Sequence, residues 1–120
     1  MKLLQVKELL EAKVYAGEDM LDTEVKEACG SDLMSDVLAF VKEEALLLTG
    51  LQNLQVLRTA EMMDIQAVVF VRGKVPAQDL IDFAKGHGMV IMTTELPMFV
   101  SCGTLYSNGL CGRKAAVKLG

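Results

Sequence analysis

The sequence predicts a layered α/β/α domain with a mainly parallel sheet. Two observations lead to this prediction: helical patterns alternate with short strand-like runs along the 120 residues, and the later runs are apolar throughout. Strands without polar alternation are typical of parallel sheets covered by helices on both faces. The chain has 52% hydrophobic residues, enough for one domain with an ordinary core.

The first elements follow from apolar spacing. Apolar residues at positions 3, 6, 9 and 10 predict a first helix that ends near Ala12. Residues 13–16 are predicted as a strand that stops at Gly17, and residues 25–29 as a second strand. Because both strands are short and rather polar, we expect them to lie at a sheet edge or to pair antiparallel.

The middle of the chain predicts two α/β units. Ser31 or Asp32 is a suitable N-cap for a second helix, whose apolar stripe runs from position 33 to 41. Residues 45–49 form an apolar strand, and Asn53 precedes a third helix.

The last units repeat this pattern. Residues 66–71 are a buried strand, and Pro76 suits the first position of the next helix. Residues 89–92 are another buried strand, and a last helix runs from about residue 96 to the Asn108-Gly109 pair. We expect strands 45–49, 67–71 and 89–92 to be neighbours in one sheet.

Domain organisation and location follow from composition. Residues 1–110 are predicted to form a single domain, and residues 111–120 a short basic tail. The apolar runs are too short for a membrane span, and the charged first helix is unlike a signal peptide, so we expect a cytoplasmic protein. Residues 1–44 hold 5 Lys/Arg against 11 Asp/Glu, which argues against nucleic-acid binding.

Candidate ligand residues lie where helix N-termini meet the carboxyl ends of strands. Four such corners are residues 30–32, 49–53, 72–74 and 93–94. The polar side chains selected from them as ligand candidates are Ser31, Asp32, Thr49, Asn53 and Thr93. Such side chains also cap helices, so the sequence leaves helix capping and a ligand cleft as two open interpretations.

Catalysis, a metal site and a cofactor are not predicted. The chain has no GxxxxGK[ST] phosphate loop, and its single histidine, His87, has no evident catalytic partner. Cys29, Cys102 and Cys111 form no CxxC pair and are interpreted as free thiols buried in apolar surroundings. His87 follows a helix, where a cation complements the helix dipole, and is interpreted as structural.

The last helix is apolar on nearly every side, and the chain contains eight methionines. This helix either lies inside the core or presents one face to another subunit. For a homodimer, the expected contact face is Met98, Phe99, Cys102 and Leu105 on this helix, or Met34 on the second helix.

The segment from Leu21-Asp22 to Ser31-Asp32-Leu33-Met34-Ser35-Asp36-Val37 resembles the signature of the DRTGG domain. Thr49 and Asn53 also match the family pattern, and the likeness extends over nearly the whole chain. The name-giving residues are mostly replaced: Thr23 stands at the Arg position, and residues 26–28 stand where Thr-Gly-Gly would lie. The lost glycines remove backbone that could approach a phosphate closely.

The resemblance implies the fold of the N-terminal domain of HPr kinase/phosphorylase, without kinase activity. DRTGG domains are regulatory parts of some phosphotransacetylases and CBS-containing pyrophosphatases, where they lie at subunit contacts, and stand-alone versions accompany iron-hydrogenase subunits. Two hypotheses follow. The chain is a non-catalytic, self-associating module that acts on a metabolic or hydrogenase-type redox enzyme, or it is a sensor that binds an adenine nucleotide at the strand-end corners.

Overall fold

Five strands form one sheet in the computed structural model, which describes residues 1–40 and 44–111. The strands are β1 (Lys13–Ala16), β2 (Glu27–Gly30), β3 (Ala45–Thr49), β4 (Ala67–Phe70) and β5 (Val90–Thr93). Their spatial order is β1-β5-β4-β3-β2, and every pair from β2 to β5 is parallel. The prediction that the three apolar strands are neighbours in one sheet is therefore confirmed.

The two short early strands occupy opposite edges of the sheet. β1 pairs antiparallel with β5, with an irregularity between Val14 and Ala16, and β2 pairs parallel with β3. Edge positions suit these strands because only one side of each needs a partner, and a more polar strand tolerates the remaining exposure. The expectation that they lie at an edge or pair antiparallel is confirmed.

Helices cover both faces of the sheet. They are α1 (Leu3–Leu10), α2 (Met34–Phe40), α3 (Leu54–Met62), α4 (Gln78–Gly86) and α5 (Met98–Ser107), and a short 3-10 turn spans Glu18–Met20. Helices α2, α3 and α4 pack on one face, whereas α1 and α5 pack side by side on the other. None of the helices in the described residues is both long enough and apolar enough to cross a membrane.

Strand β3 shows why the sheet needs both helix layers. Leu47 belongs to the core on the α2–α4 side, whereas Leu46 and Leu48 belong to the core on the α1–α5 side, and all three are fully buried. Burying one such side chain stabilises the fold by about 1.5–3 kcal/mol, so both faces contribute strongly. The observed α/β/α layering agrees with the fold class predicted from the sequence.

Some element ends differ from the sequence prediction. Pro76 precedes α4 instead of opening it, because Ala77 is extended and α4 begins at Gln78. Pro97 is likewise the N-cap of α5 and lies outside its first turn. α1 ends at Leu10, and Glu11 then adopts a left-handed conformation with φ 49°. α4 and α5 therefore start about two residues later than predicted, and α1 ends about two residues earlier.

The carboxyl end of the described chain also differs from expectation. Cys111, predicted as the first residue of the tail, forms a bridge with Glu27, and its carbonyl accepts a hydrogen bond from the Ala28 N–H at 3.0 Å. Leu110 is buried in the core beside α1 and α5. The rest of the predicted basic tail, 112–120, and the predicted end of the second helix stripe at residue 41 lie outside the described residues.

Asn53 is the N-cap of α3, which is one of the two interpretations that the sequence left open for this residue. Its Oδ1 accepts a hydrogen bond from the Val56 N–H at 3.0 Å. We expect Asn53→Ala to lower the free energy of unfolding by about 1 kcal/mol, because an N–H of the first turn loses its acceptor. Urea denaturation measures this loss. Asn53→Asp keeps the acceptor and serves as the control; a loss as large as that of alanine would contradict the capping role.

Candidate functional site

The turn after β2 is stabilised locally by Ser31. Its Oγ accepts a hydrogen bond from the Leu33 N–H at 3.0 Å and lies 3.2 Å from the Leu33 carbonyl oxygen, to which it donates. α2 begins at Met34, whereas a cap at Ser31 would start the helix at residue 32 and a cap at Asp32 at residue 33. The capping prediction for Ser31 is therefore wrong in detail: the hydroxyl stabilises the turn ahead of the helix.

Asp32 connects two neighbouring corners of the sheet. Its Oδ1 accepts hydrogen bonds from the Thr49 Oγ at 3.0 Å and from the Gly50 N–H at 2.7 Å. The carboxyl ends of β2 and β3 are adjacent in a parallel pair, which brings these residues within reach. Asp32 therefore does not cap α2, as one interpretation of the sequence proposed; it fixes the β3–α3 corner to the β2–α2 corner.

Arg72 lies over the same pair of corners. It has a left-handed backbone with φ 70°, and its guanidinium lies against the Cα of Gly50, where an added Cβ would collide with it. The Arg72 N–H donates to the Leu96 carbonyl at 3.1 Å, so its loop is fixed to the loop that follows β5. The ion pairs found in residues 1–40 and 44–111 do not involve Arg72.

A cleft of about 450 Å³ opens at the carboxyl ends of the parallel strands. One side is polar and includes Ser31, Asp32 and Arg72, whereas the other is formed by the start of α5, with Met98 and Phe99. We call this space the carboxyl-edge cleft; its lining is completed by Gly30, Val71 and Pro97. The sequence indicated the corner at residues 72–74 but not Arg72 as a ligand residue; a cation directly after a buried strand was the available signal.

The structure brings together three of the five candidate ligand residues. Ser31 and Asp32 line the carboxyl-edge cleft, and Thr49 is fully buried behind Asp32. Asn53 uses its side-chain oxygen as a helix cap. Thr93 is 6% exposed on β5, separated from Thr49 by Phe70 of the intervening strand.

The exposed side of α5 is mostly apolar. Phe99 is 88% exposed and Tyr106 67%, and Val100 is also exposed, whereas Leu105 is only 1% exposed. The assignment of Leu105 to a contact face is therefore wrong, because this side chain packs in the core beside α1.

The other residues expected at a subunit contact are half-buried. Met98 and Cys102 pack against the α1–α5 core and lie close to Gly30, leaving no room for a side chain there. Met34 packs against the core on the other face of the sheet. Only Phe99, of the five expected contact residues, presents most of its surface outward.

The thiols of Cys29 and Cys102 are both shielded from solvent in part. Burial raises the pKa of Cys29, and the nearby Asp36, Cys102 and Glu27 raise it further; burial alone raises the pKa of Cys102. Both groups therefore favour the neutral thiol, which is the weaker nucleophile and the weaker metal ligand. In the part of the chain that the structure describes, no three His, Cys, Asp or Glu residues are grouped to hold a metal ion.

The opposite side of the sheet, at the amino ends of the parallel strands, has a different chemistry. A cleft of about 520 Å³ there is lined by Glu24, Glu44 and Asp64 among other residues, and these carboxylates would repel a phosphate. Asp22 stands where the DRTGG signature has its first residue, and its Oδ1 lies 3.6 Å from the Lys2 Nζ. Glu27 and Ala28, which stand where the signature has its glycines, pair with β3 as part of β2. The carboxyl-edge cleft has one carboxylate, Asp32, together with the cation Arg72, whereas the lining of the other cleft includes no Lys or Arg. For an anionic ligand, the carboxyl-edge cleft is therefore the better candidate although it is smaller.

Comparison with known proteins gives a likeness of fold. No protein-family model and no curated protein sequence matches the chain. A solved structure that is similar contains the CBS and DRTGG domains of the regulatory region of a Clostridium perfringens pyrophosphatase, in complex with the activator diadenosine tetraphosphate. The TM-score is 0.72 at 14% identity, and the match covers 87% of this chain and 45% of that one. The likeness supports a DRTGG-like fold.

The Asp32 bridge gives a direct test of how the site is held. We expect Asp32→Ala to lower the free energy of unfolding by roughly 1–2 kcal/mol, because the Thr49 hydroxyl and the Gly50 N–H lose a charged acceptor at a solvent-accessible corner. Asp32→Asn keeps an acceptor oxygen and should lose less. Urea denaturation compares the two variants, and equal stability of Asp32→Ala and the wild type would contradict the bridge.

Proposed function

We propose that the chain is a non-catalytic regulatory module that self-associates and acts on a partner enzyme, of metabolic or hydrogenase-type redox function. The observation that carries this proposal is the outward face of α5, where Phe99 is 88% exposed. A single exposed apolar residue is ordinary, but Phe99, Val100 and Tyr106 lie on one side of one helix.

The composition of α5 supports an interface. Residues 98–107 include no Asp, Glu, Lys or Arg. Depletion of charge and enrichment in aromatic residues and methionine are the features that distinguish interface cores from the rest of a protein surface. Leu4, on the neighbouring helix α1, is also 44% exposed.

A regulatory role agrees with the chemistry of the cleft. The hydroxyl of Thr49 donates a hydrogen bond to the carboxylate of Asp32. The ring of His87 stacks on the ring of Phe83 at the end of α4, and its Nδ1 is within hydrogen-bond distance of the Phe83 carbonyl oxygen. Thr49 is fully buried, so its hydroxyl does not face the cleft, and His87 is not among the residues that line it. This arrangement favours binding over nucleophilic chemistry. The similar solved structure belongs to the regulatory region of its enzyme.

Self-association is tested by the mass of the protein in solution. We expect sedimentation velocity at micromolar concentration to give a particle of twice 13.1 kDa. Phe99→Asp should dissociate it, because an unpaired carboxylate would be buried at the contact. Met62→Asp is the control, since Met62 is 65% exposed on α3 in the opposite helix layer. A wild-type monomer, or equal effects of the two variants, would contradict the proposal.

A second candidate function is a sensor of an adenine nucleotide. The observation that favours it is that a cation, Arg72, and an exposed aromatic ring, Phe99, line the same cleft. A guanidinium binds phosphate through directed hydrogen bonds, and an exposed ring offers a surface on which a base can stack. The similar pyrophosphatase region was solved with an adenine dinucleotide, which makes ATP, ADP and AMP reasonable first ligands.

Calorimetry with ATP, ADP and AMP tests the sensor function. We expect at least one of them to bind at or below millimolar concentration, and Arg72→Gln to weaken its affinity about tenfold by removing a charge-assisted hydrogen bond. Arg58→Gln is the control, because Arg58 is an exposed arginine on α3 in the opposite layer. Absence of heat with all three nucleotides at millimolar concentration would contradict this function.

A further inference from the structure

We propose that two copies of the chain associate by an antiparallel crossing of α5 on α5, with Gly103 at the crossing point. This inference rests on the proposed self-association and specifies its geometry. The contact surface is the α5 stripe, which we define as Phe99, Gly103 and Tyr106. These residues are spaced by four and three positions, so they lie on one face of the helix.

Gly103 is the unexplained residue of α5. It lies in the middle of the helix, it is exposed, and a Cβ added to it would meet nothing within 4 Å. Glycine inside a helix is less favourable than alanine because it loses more backbone freedom on folding. The fold of one copy thus has room for a side chain at this point and gains nothing from its absence. Close approach of a second backbone supplies the reason.

The exposed stripe is flat at its centre and raised at its ends. Phe99 stands on one side of Gly103 and Tyr106 on the other, and both rings are mostly exposed. Two helices with a small residue at the crossing point can approach closely while larger side chains pack around it. The stripe therefore has the shape that a helix–helix contact requires.

The uncharged face of α5 favours a second copy over a charged partner surface. The absence of ionisable side chains from residues 98–107 means that a charged partner surface would lose its hydration without gaining an ion pair. Another α5 presents the same uncharged face. A twofold contact also requires a surface that is complementary to itself, and a central glycine flanked by aromatic rings satisfies this requirement.

The register follows from the position of the twofold axis. With antiparallel helices crossing at Gly103, Phe99 of one copy lies opposite the partner's Tyr106, and the reverse contact is equivalent. A stable interface buries about 800 Å² per partner, and one Phe or Tyr can bury about 150–250 Å². The two rings thus supply a large share, and Val100 and Leu4, both partly exposed in this layer, are available to extend the contact.

Substitution of Gly103 tests the crossing. We expect Gly103→Ala to weaken the dimer at least tenfold by sedimentation equilibrium, and Gly103→Leu to leave only monomer at micromolar concentration. Gly86→Ala is the matched control, because Gly86 is also an exposed helical glycine with nothing within 4 Å of an added Cβ, but lies on α4. Circular dichroism reports whether each variant is folded. Because alanine favours the helix more than glycine does, we expect Gly103→Ala to remain folded.

The register has its own test. Phe99→Lys and Tyr106→Glu should each weaken the dimer, and an equimolar mixture should form a heterodimer at least tenfold tighter than either homodimer, because the antiparallel crossing pairs the new charges. No gain on mixing would overturn the register. A wild-type dimer that tolerates Gly103→Leu would overturn the crossing and leave self-association standing, whereas a wild-type monomer would overturn both.

Discussion

Strands β3, β4 and β5 are buried on both faces of the sheet, and this burial determines where the helices lie. Their side chains are almost completely shielded on the two sides of the sheet, so each face requires its own layer of helices. Parallel neighbours also require a crossover between successive strands, which returns the chain to the same edge each time. The turns after β2, β3, β4 and β5 therefore meet at one edge, and the carboxyl-edge cleft is a consequence of how the core is covered.

The sequence predicted the elements that depend on local pattern and missed those that depend on distant partners. Strands β3 to β5 could be recognised from apolar runs, and the N-cap at Asn53 from the residue type before a helical pattern. The role of Asp32 could not, because its partners are 17 and 18 residues away and are set by strand pairing. The outward face of α5 was ambiguous for another reason: nearly every residue is apolar, so periodicity did not separate Leu105 from Phe99.

The two proposals share one side chain. Phe99 belongs to the wall of the carboxyl-edge cleft and also to the α5 stripe, whereas Arg72 belongs only to the former and Gly103 only to the latter. A nucleotide that stacks on Phe99 and a second copy that packs on it would therefore influence each other's affinity, and thermodynamic linkage makes that influence reciprocal. Coupling of this kind between ligand binding and assembly is one form of allosteric regulation.

The antiparallel pairing of β1 with β5 has a consequence for the order in which the chain becomes structured. Lys13 is in register with Thr93, and the Thr94 hydroxyl donates to the Leu10 carbonyl at 2.7 Å, so the edge formed by the first strand depends on residues about 80 positions later. During synthesis β1 leaves the ribosome long before its partner β5, and closure of such a long loop is slow. The parallel units from β2 to β5 can assemble from near neighbours, and the start of α1 donates hydrogen bonds to the carbonyls of Leu21 and Thr23, about 20 positions away. We therefore expect β1 to be the last strand to join the sheet.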